Sequence, residues 1–143
     1  MDDMNDIRCG RYCVSNLQAH LVFVTKYKRG VLNEQAIKYC SRIFKKVCND
    51  FESTLVACDG EDDHVHLTVS YPPKIALAKL VNSLKGVSSR LLRGDMPSIE
   101  KRYWKGVLWS PSYFATSNSN TALDEIQQYV ENQREESINE YST

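Results

Sequence analysis

The 143-residue sequence contains no apolar run long enough to cross a membrane. A membrane-spanning helix needs roughly 18 or more consecutive apolar residues, and here polar or charged residues interrupt every apolar segment earlier. The first residues include Asp2, Asp3 and Asp6, which is unlike the positively charged start of a secretory signal peptide. We therefore expect a cytoplasmic protein.

Cysteine pairs with the spacing of a metal or redox site are also missing. The five cysteines are an odd number, and none belongs to a Cys-x-x-Cys pair. A cysteine-rich zinc site is therefore disfavoured. Cys40 and Cys48 have the spacing of one helix face, so we interpret the cysteines as small buried hydrophobic residues in a reducing compartment.

The sequence has no internal repeat, no low-complexity segment and no visible ATP-binding motif. Apolar residues make up 42% and charged residues 25% of the chain, as in ordinary globular proteins. This length suffices for one domain with its own core. We predict a single domain over residues 1–143, in which residues 1–11 are frayed and residues 135–143 form a polar tail.

Net charge is zero, but the charges are segregated along the chain. Residues 26–46 carry seven bases and one acid, and residues 74–105 carry eight bases and two acids. Residues 120–143 carry six acids and one base. Basic segments of this kind indicate a polyanionic partner, although solvated helix faces give the same pattern.

Two basic segments are candidates for nucleic-acid binding. One is a turn in which bases surround Tyr27, an arrangement that can hold phosphate and stack a base. The other is the polar face of a helix predicted over residues 74–93, on which we place Ser88 and Ser89 beside the bases. The alternative for both is plain solvation. The candidate nucleic-acid contacts are Lys26, Lys28, Arg29, Lys79, Lys85 and Arg90.

The stretch from Asp63 to Val69 alternates polar and apolar residues, which predicts a strand. His64 and His66 then share one face, and the apolar residues between them face the core. Two imidazoles at this spacing can bind one metal ion, but a half-buried strand with two solvated histidines fits equally well. The acidic turn over residues 59–63 either supplies a further ligand or is a polar loop.

The remaining pattern predicts an α+β fold of the ferredoxin-like type, an antiparallel sheet packed with helices plus a C-terminal helix. Thr121 and Asp124 have the spacing of a capping box at the start of that last helix. Tyr129 and Gln133 lie on the flank of its apolar stripe. The predicted elements are strand 13–25, helix 34–51, strands 53–58 and 64–69, helix 74–93, an extended connection 94–106, strand pieces 107–109 and 113–116, and the final helix.

Six sequence blocks between residues 18 and 134 occur in the order of one known family. They are HLVFVTKYKR (20–29), DHVHL (63–67), PPK (72–74), SLKGVSSR (83–90), WSPSYF (109–114) and YVENQ (129–133). On these blocks the chain resembles the single-tyrosine HUH transposases of bacterial and archaeal insertion sequences, whose relatives include the REP-associated tyrosine transposases. The HUH motif is His64-Val65-His66.

The resemblance implies a metal-dependent transposase that cleaves and rejoins single-stranded DNA at hairpin-bearing element ends. It implies Mg²⁺ or Mn²⁺ held by His64 and His66, with Gln133 as the third protein ligand. Tyr129 would be the nucleophile and would form a 5′-phosphotyrosine intermediate.

The resemblance also implies a homodimer in which the tyrosine helix of one subunit completes the other subunit's site. Many relatives have glycines in the linker before this helix, whereas residues 117–120 are Ser-Asn-Ser-Asn, which restricts how far the helix can swing.

Two other functions fit parts of the pattern. A non-catalytic regulator on the same fold would bind hairpin DNA or RNA, and a metal-dependent ribonuclease would release its product without a covalent adduct. The complete set of His64, His66, Tyr129 and Gln133 favours the transposase, because a binding protein has no physical reason to keep it.

Overall fold

The central strands of the fold are the apolar run after residue 17 and the histidine strand. A computed structural model of the chain describes residues 7–9, 14–101, 103, 106–117 and 125–133. The predicted capping box, the C-terminal tail and most of the linker after residue 117 lie outside these residues. The strands are β1 (Arg8–Cys9), β2 (Val14–Ser15), β3 (Gln18–Val24), β4 (Thr54–Gly60), β5 (His64–Ser70) and β6 (Phe114–Thr116).

Four of these strands form one antiparallel sheet in the order β4-β5-β3-β6. The helices are α1 (Glu34–Asp50), α2 (Leu77–Asp95) and the short α3 (Pro97–Glu100), and residues 125–133 are helical (α4). The order β3-α1-β4-β5-α2-β6 is the ferredoxin-like order. The predicted fold class is confirmed.

Helices α1 and α2 cover one face of the sheet. That face presents Leu21 and Phe23 from β3 and the apolar residues of β5, all of which belong to the main core. Asn33 caps the N-terminus of α1, because its side chain accepts a hydrogen bond of 2.8 Å from the backbone of Ala36. Cys40 and Cys48 on α1 are fully buried, and burial raises the pKa of Cys40 to about 12.

The opposite face of the sheet carries the histidines, and the apolar cluster on this face is the smaller one. Val22 and Val24 of β3 are buried here against Val130 of α4, with Ile126 and Phe114 at the margin. The run of buried residues from Leu21 to Val24 shows that β3 is a central strand covered on both faces. Within the described ranges, no helix has the length and apolar content needed to span a bilayer.

The N-terminal region differs from the prediction. Residues 7–9 are not frayed, because β1 pairs with β2 and the guanidinium of Arg8 ties this strand pair to the sheet. It donates to the hydroxyl and carbonyl of Ser70 at 3.1 and 2.9 Å and to the carbonyl of Glu52 at 3.0 Å. The predicted strand 13–25 is also broken between Ser15 and Gln18.

The second half of the chain differs from the prediction at three places. Helix α2 begins at Leu77 rather than residue 74 and continues to Asp95. The predicted extended connection 94–106 instead contains α3, because Pro97 occupies a first-turn position that suits its fixed φ and Ile99 is buried. In the segment 107–109, only Trp109 forms a bridge, and its partner is Thr25.

Gly60 ends β4 where the chain approaches β5 most closely. A Cβ at this position would lie 2.6 Å from the carbonyl oxygen of His64, so the backbone would have to move. We expect Gly60→Ala to destabilise the protein by about 1–3 kcal/mol, measured as a lower melting temperature by circular dichroism. In the control Gly86→Ala, the new Cβ on α2 meets nothing within 4 Å, and stability should stay level or rise. A Gly60→Ala protein as stable as the parent would contradict this packing.

Candidate active site

A cavity of about 460 Å³ opens on the histidine face of the sheet. Its walls come from the basic turn after β3, the turn between β4 and β5, the start of β5, and α4. The lining residues are Lys28, Glu61, Asp63, His64, His66, Ile126, Gln127, Val130 and Glu131.

His64 and His66 lie side by side in this cavity. Antiparallel pairing sets them opposite Val24 and Val22 of β3, so the alternation of β5 keeps both rings on the face away from α1 and α2. Their ring centroids are 6.2 Å apart and their planes differ by 26°. His64 is 9% exposed, whereas His66 is open to solvent.

Asp63 connects His64 to the basic turn. Its Oδ1 accepts a 2.7 Å hydrogen bond from Nδ1 of His64, and its Oδ2 lies 3.5 Å from the ammonium of Lys28. Burial alone would raise the pKa of Asp63. The hydrogen bond and the charges of His64 and Lys28 outweigh burial, so this pKa is lowered. Asp63 is therefore a carboxylate at neutral pH.

Lys28 reaches the cavity from a strained turn. Tyr27 and Lys28 have φ values of 63° and 49°, a left-handed conformation that non-glycine residues rarely adopt. The side chain of Lys28 is only 14% exposed, and its ammonium also lies 3.6 Å from Glu131 of α4. Lys28 thus belongs to the cavity wall and joins the sheet to the C-terminal helix.

A divalent metal ion fits the donor groups of this cavity. Glu61, Asp63 and His64 each offer one ligand atom, and these atoms lie within 4.8 Å of one another. Imidazole nitrogen and carboxylate oxygen are the donors that such ions take from proteins. Of the two interpretations of the acidic turn, the position of Glu61 supports the one in which the turn adds a ligand.

The structure does not bring Tyr129 and Gln133 into the same cavity. The Tyr129 hydroxyl lies 3.0 Å from the hydroxyl of Ser112, and its ring packs 5.7 Å from the ring of Phe114. Gln133 is buried, and its Oε1 accepts a 2.5 Å hydrogen bond from Ser110. Gln127 and Glu131 face the histidines from this helix instead.

The six basic candidates do not form one surface. Lys26 and Arg29 lie over the ring of Tyr27, at 5.4 and 5.2 Å from its centroid. Lys79 and Arg90 are exposed on α2, on the other side of the sheet. There Arg90 lines a groove of about 420 Å³ between α1 and α2 that also contains Arg42 and Lys46.

The polar face predicted for the helix over residues 74–93 is buried at Ser88 and Ser89 and partly covered at Lys85. The ammonium of Lys85 donates to the carbonyls of Ser110, Pro111 and Ser112 at 2.7, 3.2 and 3.3 Å, and burial lowers its pKa. Ser88 and Ser89 are buried, where their hydroxyls accept hydrogen bonds from the Trp109 ring and the Leu108 backbone. The segment after residue 106 covers this part of the helix.

The sequence analysis includes Asp63 only as one carboxylate of the acidic turn 59–63, and it gives no role to Gln127 or Glu131. Asp63 had a usable signal, because a carboxylate directly before a paired-histidine strand can reach its neighbour's ring. For Gln127 and Glu131 no local signal exists, since the face that α4 turns to the sheet depends on tertiary packing.

The sequence matches the family described as IS200-like transposases over residues 13–133. The chain belongs to this family. It is a transposase and therefore a DNA strand transferase, and the resemblance to single-tyrosine transposases is confirmed.

The relatives agree with this assignment. The chain is 30% identical to the ISDra2 transposase TnpA of Deinococcus radiodurans over 130 residues, covering 91% of this chain and 93% of the relative. It is 29% identical to the IS200 transposase of Salmonella typhimurium over 122 residues, covering 85% and 79%.

Solved structures agree with the fold. A crystal structure of a protein proposed to be a transposase of Deinococcus radiodurans superimposes with a TM-score of 0.81 at 33% identity, covering 88% of this chain and 97% of that one. A REP-associated tyrosine transposase bound to a REP hairpin gives a TM-score of 0.51 at 14% identity, covering 86% and 67%. This second likeness concerns the fold.

Proposed function

We propose that this transposase cleaves and rejoins single-stranded DNA at hairpin-bearing element ends, through a metal-dependent 5′-phosphotyrosine intermediate. The observation that carries the proposal is the pairing of His64 and His66 in a cavity bordered by the helix of Tyr129. The cytoplasmic location expected from the sequence belongs to the same proposal, as the chromosome is the substrate.

His64 and His66 would hold Mg²⁺ or Mn²⁺, with the amide oxygen of Gln133 as the third protein ligand. An ion bound there neutralises charge on the scissile phosphate and on the departing 3′-oxygen, an effect of several kcal/mol. Gln133 would have to leave Ser110, its present partner, or come from the second subunit. Lys28, already in the cavity wall, places a positive charge where the phosphate would lie.

Tyr129 would attack the scissile phosphorus. Its phenol oxygen forms a new bond to phosphorus while the bond from phosphorus to the 3′-oxygen breaks. The phenol loses its proton and the 3′-oxygen gains one, which leaves a 5′-phosphotyrosine and a free 3′-OH. A phenol with a pKa near 10 is only about 0.1% ionised at pH 7, so the step needs an activated phosphate. A 3′-OH of another strand can then attack the phosphotyrosine, which reverses the reaction and rejoins DNA.

Binding of the DNA would use basic side chains on both sides of the sheet. Lys26 and Arg29 flank Tyr27 beside the cavity, where a single strand entering the site could be held by phosphate contacts and stacking. Lys79 and Arg90 on the other side of the sheet are placed for a more distant part of the substrate. The REP hairpin held by the structural relative supports a hairpin as that part. The ammonium of Lys85 already donates to three carbonyls. We therefore propose that Lys85 supports, from below, the surface of α2 that carries Lys79 and Arg90.

A homodimer with shared sites accounts for the position of Tyr129. Within one chain its hydroxyl lies against Ser112 and not in the histidine cavity. In a dimer, the helix of one subunit would deliver its tyrosine to the histidines of the other. The two half-sites would then be complete only in the assembly.

The covalent intermediate is directly testable. The protein mixed with Mn²⁺ and a single-stranded hairpin DNA should give an adduct that survives denaturing electrophoresis. Tyr129→Phe should abolish the adduct while hairpin affinity stays within a few-fold, because only the phenol oxygen is removed. His66→Ala should abolish cleavage as well.

Tyr39→Phe is the matched control for that experiment, because Tyr39 lies on α1 and hydrogen-bonds to Asp95, away from the cavity. It should form the adduct normally. Cleavage that survives Tyr129→Phe would overturn the nucleophile assignment. Hairpin binding by the parent protein without any cleavage would favour the non-catalytic regulator.

Sharing of the site between subunits predicts complementation. Tyr129→Phe and His66→Ala proteins, each inactive alone, should regain activity when unfolded together and refolded as a mixture. Mixed dimers then contain one site with both an intact tyrosine and intact histidines. Activity should approach about a quarter of the parent level at an equal ratio if dimers form at random. A mixture that stays inactive while mass spectrometry shows mixed dimers would contradict shared sites.

A further inference from the structure

We propose that Asp63 is a positioning residue that selects which nitrogen of His64 is available to the metal ion, and that Lys28 holds Asp63 in this role. The part of the inference that concerns the ion rests on the function proposed above. The part that concerns the proton on His64 does not.

His64 can offer a metal ion either of its two ring nitrogens. A neutral imidazole has one protonated nitrogen and one free lone pair, and only the lone pair can bind a metal. Nδ1 of His64 points to Oδ1 of Asp63 at 2.7 Å, and a ring nitrogen of His64 lies within 4.8 Å of carboxylate oxygens of Glu61 and Asp63. An ion could therefore bind at Nδ1 among these carboxylates or at Nε2.

A hydrogen bond to Asp63 decides which ring nitrogen of His64 carries the proton. Nδ1 of His64 lies 2.7 Å from Oδ1 of Asp63. A carboxylate can only accept, so Nδ1 carries the proton and Nε2 keeps the lone pair. The hydrogen bond also fixes the rotation of the ring, as such carboxylate–histidine pairs do at metal sites.

Asp63 is itself held in place by its neighbours. Its second carboxylate oxygen, Oδ2, is paired with Lys28 at 3.5 Å. Its backbone carbonyl accepts from the amide and the hydroxyl of Thr25, at 2.9 and 3.2 Å. Asp63 is thus held at its backbone and at both side-chain oxygens. This arrangement opposes a swing of the carboxylate toward an ion, so Asp63 orients a ligand instead of becoming one.

The strained turn has a role in this arrangement. Two consecutive left-handed residues aim Lys28 at the cavity, and strain of this kind persists where the surroundings over-determine it. Thr25 supplies part of that support, because it accepts from the backbone of Lys28 at 2.8 Å and also binds the carbonyl of Asp63. The turn and the carboxylate are therefore fixed by the same residue.

The direct test is the tautomer of His64 in the metal-free protein, read from long-range ¹H–¹⁵N couplings of the neutral ring. The parent should show the proton on Nδ1. In Asp63→Asn the amide oxygen should stay with the ammonium of Lys28, which can only donate. The amide nitrogen then faces Nδ1 and donates to it, so the proton should move largely to Nε2. The control Asp62→Asn removes the same charge from the exposed neighbouring residue and should leave the tautomer unchanged. A parent protein with the proton on Nε2 would overturn the inference without any variant.

The second readout is Mn²⁺ affinity, measured by calorimetry without DNA. Asp63→Asn should bind about 10–100-fold more weakly, and Asp62→Asn should bind like the parent. Lys28→Met should weaken binding by a smaller factor, and Lys28→Arg should restore it because the ion pair with Asp63 is kept. Unchanged affinity in Asp63→Asn, in a protein whose tautomer has shifted, would show that the selection does not matter to the ion.

Failure here and failure of the proposed function give different results. If the tautomer shifts as expected but Tyr129→Phe still forms an adduct, the positioning role stands and the nucleophile assignment falls. If the adduct depends on Tyr129 but His64 keeps the same tautomer in Asp63→Asn, the transposase mechanism stands and the role of Asp63 falls.

Discussion

The antiparallel pairing of β5 with β3 is the interaction on which the rest of the structure depends. Seven residue pairs run from Gln18 opposite Ser70 to Val24 opposite His64. Because side chains alternate along a strand, a slip of one residue would turn both histidines into the core and expose the apolar residues that alternate with them. The fully buried Val65 and Val69 prevent that slip, since burying each contributes about 1.5–3 kcal/mol. Core packing thus orients the site.

The histidine cavity lies at one end of this strand pair. The end of β3 leads into the strained turn that carries Lys28, and Asp63 directly precedes His64, the first residue of β5. Thr25 joins them, through hydrogen bonds to the Asp63 carbonyl. Helix α4 closes the cavity above, with Val130 on the apolar part of the same sheet face and Glu131 at the ammonium of Lys28. A fixed sheet and an added helix together make the cavity.

The local sequence pattern was sufficient to predict several of these features. The alternation of β5 and the helical spacing of Cys40 and Cys48 predicted faces correctly, because each depends only on the geometry of one element. What depended on distant partners was not predictable: the clamp of Arg8 on Ser70, and the inward turn of Lys85, are decided by segments more than twenty residues away. The side of α4 that faces the histidines was not predictable either, because the residue spacing alone does not determine how the helix is rotated about its axis.

The most direct test of the central claim uses the three histidines of the chain as internal reporters. Mn²⁺ broadens nearby nuclear resonances, so substoichiometric Mn²⁺ should erase the ring signals of His64 and His66 together. His20 lies farther along the same sheet face, opposite Thr68 and hydrogen-bonded to it at 3.0 Å, and its signals should outlast theirs. Equal broadening of all three rings, or loss of the His20 signals first, would contradict a metal site built on the paired histidines.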